Sequence, residues 1–525
     1  MLFNRTFHPD EANQAFTTGR LLETGRYTYQ PQDHHGPTLY YAAAVLQKAA
    51  GHNDTASLDG TLLRCTPLLF AVLALVFGFL AVRKLLKPAM GKLGGWLVPA
   101  LFVLLLGTSP LFVFFATDFI QEMLLACFTL MMLWAGVGYL YPGTKWKTGT
   151  WALFFGTAAG LAFATKETCA ISFAAAALAA TPFLIKRLTL EKVRARARDG
   201  VLSVLGFMII VCILYSDFGR DFHGVYNAFV AAPLSYIGRA AGSASSAGAA
   251  DHVHPWWQYL KWIFADANNL AFFVALGLSS GVFALFAMRP SVQPALRRAF
   301  IFLASYSLLL LLFYSLIPYK TPWCALQILI GLIPASILGF AYIRHLTASL
   351  HAERGWTPCL AHNLWCNLPL IYFAGALLVG QNIPFLLSFA RDPDSKDIPY
   401  NYASASPDVK ELAATVAAAV ESATNHEPRT TPFIAVALPP ADTWPFPWYN
   451  RPYEPQTGYW TSFDDLKALA AAGIMPTVVI VPMEEGHLVQ PLFPHLKHTK
   501  RFYMRPGARN REGKMRGGVR VRVFW

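Results

Sequence analysis

The sequence predicts an α-helical polytopic membrane protein with about ten transmembrane helices, followed by a small water-soluble α/β domain. Three observations carry this. First, 55% of the 525 residues are hydrophobic and only 14% charged, with mean hydropathy +0.38, whereas soluble proteins carry roughly a quarter charged residues. Second, apolar segments near the roughly 20 residues needed to span the hydrocarbon core follow one another in series. They are 61–82, 95–116, 119–141, 266–288, 297–317, 323–343 and 364–388, with shorter or interrupted runs at 150–165, 168–185 and 200–217. A soluble core buries a few such helices, not ten. Third, the loops between them alternate in charge.

Lys and Arg collect at 83–92, 145–147, 186–198, 289–298 and 344–354, which places these loops in the cytoplasm by the positive-inside rule. Residues 1–60, 117–118, 166–167, 218–262 and 318–322 then lie outside, as does the tail from about 390. The net charge of +13 thus has a topological origin and requires no nucleic acid. The basic stretch 497–521 of the tail reads as a solvated face or a contact for lipid headgroups. Cys65, Cys127, Cys169, Cys212, Cys324 and Cys366 fall in or near spans and Cys359 in a cytoplasmic loop, so no disulfide framework or CxxC metal signature is implied. The chain opens directly in an outer loop, which leads us to expect a further helix encoded upstream.

Three regions follow: an outer loop 1–60, a transmembrane domain 61–388 with an outer loop 218–262, and a soluble domain 389–525. The first holds two expected helices, 10–24 and 38–51, the second with Tyr residues suited to the membrane surface. Loop 218–262 contains a Gly-, Ala- and Ser-rich stretch at 238–251, flexible by composition, then Trp256, Trp257 and Trp262 as an interfacial anchor. In the tail, 407–423 and 463–473 have helical spacing. Segments 431–438 and 475–483 read as buried strands, and RFYMRPG and RVRVFW as a hairpin, a layered α/β pattern.

Ionisable residues at the outer face are the candidates for chemistry. Asp10 and Glu11 in HPDEAN can act as a general base on a hydroxyl or hold a divalent cation; the plainer reading is a helix start, with Asp10 as cap. Asp33, His34 and His35 can meet a metal or sugar hydroxyls, although adjacent His residues share one ion poorly. Asp118 lies between two spans, with Glu122 one turn on. It is either a functional intramembrane acid or a helix cap. Lys166-Glu167 breaks an apolar stretch and reads as a phosphate-holding cation or as a Lys–Glu salt bridge. Lys320 in PYKTPW is a second candidate cation or a snorkelling Lys, and Arg64 is a third. No GxxxxGK[ST] or GxGxxG occurs, which disfavours a nucleotide-driven reaction and fits an activated lipid-phosphate donor.

The order of these motifs resembles the GT-C class of multi-spanning glycosyltransferases, which includes protein O-mannosyltransferases and the aminoarabinose transferases of lipid A. It is most similar to the archaeal and bacterial group known as flippase-activity-associated proteins. The resemblance rests on HPDEAN (8–13), HHGPTLYY (34–41), LLRCTPLLF (62–70), ATKETCA (164–170), YKTPW (319–323) and WPFPWYNRPY (444–453), in order along nearly the whole chain. It implies a polyprenyl- or dolichyl-phosphate sugar as donor in a cell-membrane, multi-pass enzyme with its soluble domain outside. Asp10 would be the base of an inverting transfer and Glu11 its support or a cation ligand. Asp118 would be a second acid or metal ligand, and Lys166, Lys320 and Arg64 would neutralise the departing phosphate. We expect His34, His35 and Tyr40 to contact acceptor or sugar, and leave open a divalent cation. Two alternatives stand beside this reading. One is a non-catalytic partner in moving lipid-linked sugars across the bilayer. The other is a ligase- or polymerase-like protein, which the position of the largest outer segment after the last span disfavours.

Overall fold

The structure is a computed structural model. It describes residues 5–141, 146–184, 190–240, 252–264, 268–287, 294–353, 360–395, 397–401, 405–426, 431–505, 508–509, 515–516 and 518–525. Most of the Gly/Ala/Ser-rich stretch and Cys359 lie outside these residues. The chain forms two compact units. One contains Met1–Gly25, Ala44–Leu63 and Arg391–Trp525, the other Arg26–Ala43 and Arg64–Ala390. The first outer segment is therefore divided: its ends belong with the tail, and its middle with the membrane helices.

In the second unit, seven helices among the described residues are long and apolar enough to cross a membrane: Gly60–Leu86, Glu122–Leu140, Arg196–Tyr215, Leu270–Ala287, Pro294–Leu316, Pro322–Thr347 and Leu370–Arg391. The pair Gly95–Gly107 and Pro110–Ala116, bent by 67°, makes an eighth span if counted as one. Pro110 lacks the N–H that would continue the preceding helix. Two of the three shorter runs form helices Thr148–Phe163 and Cys169–Leu184 of 16 residues each, and the third lies in Arg196–Tyr215. The chain is a multi-pass membrane protein. In the most apolar 18-residue stretch of each, Pro322–Thr347 is 94% buried and Arg196–Tyr215 only 11%, so the former is central and the latter peripheral.

The expected loop at 83–92 is helical, inside a stretch of helical residues Gly60–Gly107, 48 in all. A straight helix would put Gly78 and Phe102 about 36 Å apart. Instead Gly78 faces the Phe102 ring, and Gly107 faces Leu75, so the run doubles back and the alternation of spans survives. The basic segments 190–198 and 344–353 are likewise helix extensions. Lys and Arg have high helical propensity. Small residues set the helix spacing. Gly156 and Gly160 lie against the backbone carbonyls of Ser203 and Phe207, and Gly339 against that of Gly277; a Cβ there would collide.

The tail folds as expected, with one addition. Strands β1 (Ile434–Ala437), β2 (Thr457–Trp460), β3 (Val478–Pro482), β4 (Thr499–Arg505), β5 (Ala508–Arg509), β6 (Met515–Arg516) and β7 (Val519–Phe524) form a five-stranded sheet of order β2-β1-β3-β7-β4 and a β5-β6 ribbon. β1 pairs parallel to β2 and β3, and β7 antiparallel to β3 and β4. One sheet face packs Ile434, Val436, Ile480, Val521 and Val523 against Val409, Leu412 and Val416 of helix Asp408–His426. The other packs Ala435, Val479 and Val481 against Phe463, Leu466 and Phe493. β2 escaped the sequence reading because TGYW at the sheet edge is only partly buried and shows no alternation.

The same unit explains the WPFPWYNR segment. Trp448 stacks on Phe7 at 4.6 Å between ring centroids, and the Arg451 guanidinium lies 4.0 Å from the Trp448 ring. The Tyr449 hydroxyl accepts from the Phe7 N–H (2.8 Å), and Arg451 donates to the Leu58 carbonyl (2.8 Å). Trp448→Ala is expected to cost about 3–5 kcal/mol, read as a lowered Tm of the purified protein, with the loss concentrated in this unit.

Candidate active site

Helix Pro9–Thr24 starts with a capping box built by His8 and Glu11, not by Asp10. The Asp10 N–H donates to His8 Nδ1 (3.1 Å), and the His8 N–H donates to Glu11 Oε2 (3.0 Å). Pro9 suits the first turn, where an N–H has no helical acceptor. Glu11 is fully buried and lies 3.9 Å from the buried Arg5 guanidinium. The Asp10 side chain is half-exposed, with His8 Nδ1 at 3.7 Å. The reading of Asp10 as the helix cap is thus corrected: the imidazole of His8 fills that role, and the Asp10 carboxylate is left at the surface of its own unit.

The other candidates lie in the membrane unit, where four segments meet. Segment 27–41 docks on loop 164–168: Thr38 N–H donates to the Ala164 carbonyl (3.2 Å), and the Thr38 and Thr165 hydroxyls are 2.8 Å apart. Gly36 is required there because it lies against the Ala164 carbonyl, which explains the HHGP turn. Gln121 Nε2 donates to the Tyr40 hydroxyl (3.2 Å), joining the turn between helices 110–116 and 122–140. Trp323 completes the group, its ring 5.7 Å from Lys166 Nζ.

Within this cluster the Lys166–Glu167 salt bridge, one of the two readings of that pair, does not form. Lys166 pairs with Glu122, both side chains almost wholly buried. Glu167 takes His35 Nδ1 at 2.7 Å and the Tyr29 hydroxyl. Burial works against the Lys166 ammonium, but the Glu122 and Glu167 carboxylates outweigh it and raise its pKa. Burial likewise pushes the Glu167 carboxyl up, yet His35 and the bonds from His35 and Tyr29 hold it at about 2. A depressed carboxylate contributes stability that is present above its ordinary value of 4.5 and is lost as pH falls through about 2. Glu167→Gln should therefore flatten the fall in Tm across that window by the equivalent of a few kcal/mol, followed by thermal unfolding in detergent.

His34 uses both ring nitrogens inside its own segment, at 3.3 Å from Asp33 Oδ2 and 3.2 Å from the Thr28 carbonyl. Tyr40 is fully buried and stacks with Tyr27. Asp118 lies buried in the turn before Gln121, the residue at the cap position of helix 122–140. Arg64 is fully buried. Lys320 is buried too, its ammonium donating to the Ile317 carbonyl, and burial lowers its pKa. Asp10 and Glu11 belong to the other compact unit. Among the described residues, no group of three or more His, Cys, Asp or Glu side chains is placed to hold a metal ion. Sequence reasoning missed the Glu122–Lys166 and His35–Glu167 pairs. Their members are 44 and 132 residues apart, a separation with no local signal.

No family model matches the chain, and no curated protein matches it in sequence. Solved structures do match over its whole length. A crystal structure of ArnT from Cupriavidus metallidurans bound to undecaprenyl phosphate superposes with TM-score 0.54 and 14% identity, covering 99% of this chain and 94% of that one. Its apo form gives TM-score 0.56 at the same identity and coverage. Archaeal oligosaccharyltransferase AglB from Archaeoglobus fulgidus, in complex with an inhibitory peptide and a dolichol-phosphate, gives 0.51 and 12% identity, covering 98% of this chain and 70% of that one. The chain therefore has the GT-C fold. Within that class its fold is similar to ArnT over nearly the full length of both proteins.

Proposed function

We propose that the chain is a membrane glycosyltransferase that moves a sugar from a polyprenyl-phosphate donor to an acceptor on the extracytoplasmic face, with inversion. The observation that carries this is the full-length likeness to an ArnT structure holding undecaprenyl phosphate. The positive-inside pattern of the loops supports the outward placement of the tail. In this reading Asp10 takes the proton of the acceptor hydroxyl as its oxygen attacks the anomeric carbon. The bond from that carbon to the phosphate oxygen breaks with its electron pair, and free polyprenyl phosphate leaves. Glu11 holds the helix start that presents Asp10 and Asp118 is a second acid. Lys166, Lys320 and Arg64 stabilise the charge that grows on the phosphate. His34, His35 and Tyr40 contribute acceptor or sugar contacts from the segment that Glu167 holds in place.

The test is transfer by the purified full chain in proteoliposomes, with a panel of polyprenyl-phosphate hexoses. Release of free polyprenyl phosphate is the expected result. No release from any donor by folded protein would reject the transferase and favour a translocation partner.

A further inference from the structure

Residues 223–240 are helical throughout: His223–Tyr226, a π turn Asn227–Ala231, then Ala232–Ala240. This helical run is inside out. Its buried residues are small (Gly224, Ala228 and Ala232), with Gly224 against the Tyr215 carbonyl. Its large apolar residues recur at helical spacing on the opposite side: Tyr226, Val230, Leu234 and Ile237, the last two 66% and 65% exposed. Phe222 before it is 68% exposed. A helix bathed in water turns its large apolar residues inward, and so continuous an exposed patch marks an interaction surface.

The turn that launches this run is strained. Asp217 and Phe218 have φ of 50° and 59°, a region that bulky side chains avoid. Such strain persists where surrounding contacts over-determine it. Asp217 is held by the Tyr41 hydroxyl (2.7 Å), and Phe218, 61% exposed, sets its ring edge-on against Tyr41 at 5.1 Å between centroids. The turn thus directs an aromatic outward at the end of a span. That span, Arg196–Tyr215, exposes Val201, Val204, Leu205, Ile209 and Ile213, and as the most peripheral span it faces acyl chains.

We propose that residues 218–237 form an interfacial anchor whose large apolar side is seated in the bilayer, at the boundary of headgroups and acyl chains. Lipid is the occupant because the patch continues the lipid-facing side of the adjoining span and combines aromatic with aliphatic residues, as interfacial segments do. The anchor is tied to the Glu167 cluster. Asn227 donates to the Tyr29 carbonyl (3.3 Å), Phe229 stacks on Phe163 (5.2 Å), and Asp217 accepts from Tyr41. Its seating in lipid thereby fixes the segment that carries His35.

The test uses the full chain in nanodiscs of phosphatidylethanolamine and phosphatidylglycerol, one lipid bearing a photoactivatable diazirine in its acyl chain. Adducts are mapped by mass spectrometry. Labelling of Phe222, Tyr226, Leu234 and Ile237 at yields comparable to Val204 and Ile209 is expected, with none on the exposed Tyr503 of β4. The doubly substituted Leu234→Asp, Ile237→Asp protein should lose adducts across 222–237 about tenfold while keeping those on 201–213, which also reports an intact span. Adducts confined to 201–213 in the unsubstituted protein would overturn the proposal. So would a cross-link from 222–237 to a second copy or another protein in place of lipid. Neither outcome depends on sugar transfer.

Discussion

Asp10→Asn should lower sugar transfer by roughly 10²–10⁴-fold, the range for loss of a general base, with little change in Tm. The expectation of an intact fold comes from the division of labour in HPDEAN. The Asp10 contribution to the helix start is its backbone N–H, donated to His8 Nδ1, and that group survives the substitution. Its carboxylate is half-exposed. Glu11 is the opposite case. It accepts from the His8 N–H, lies near Arg5 and is fully buried, so Glu11→Gln should lower Tm, because it leaves a buried guanidinium with less compensation. Measuring release of polyprenyl phosphate beside Tm for both variants separates the two roles. If Asp10→Asn retains full transfer, Asp10 is not the base. If it loses transfer together with Tm, the carboxylate is structural.

The legible part of the fold was whatever one period of sequence encodes. Apolar runs gave the spans, and Pro9–Thr24 and Thr38–Ala49 emerged within two residues of the expected 10–24 and 38–51. Buried strands β1 and β3 and the β4/β7 pair were readable because their inward residues are apolar and mostly β-branched or aromatic. The loop at 83–92 was misread because basic residues beside the reversal of a helical hairpin stay helical up to the turn. The site was half legible. Residue type identified Lys166, Lys320, Arg64 and Asp118 as unusual in an apolar context, and all four are buried. Partner choice was not readable. Lys166 and Glu167 are adjacent, so a local salt bridge stood as one of two readings beside a phosphate-holding cation. Neighbouring side chains in the turn instead take separate partners, Glu122 and His35.

That separation sets the second large effect. Lys166→Met strands a buried Glu122 carboxylate and should cost about 3–5 kcal/mol, the range for breaking a buried pair from one side. Glu122→Gln strands the ammonium, but Glu167 in the same loop still favours its charge, so its loss should be smaller. The combination of Lys166→Met with Glu122→Leu removes both charges and should recover most of the stability, since apolar replacements of a buried pair are often neutral. Stability and chemistry then part company. If Lys166 also receives the donor phosphate, it must exchange Glu122 for that phosphate during the reaction. The recovered double variant would fold and yet transfer sugar about 10²–10³-fold more slowly, the scale for losing one stabiliser of developing charge. Thermal unfolding and polyprenyl phosphate release from the same preparations decide the matter. A stable double variant with full activity would make the pair a strut of the four-segment cluster and leave the phosphate to Lys320 and Arg64.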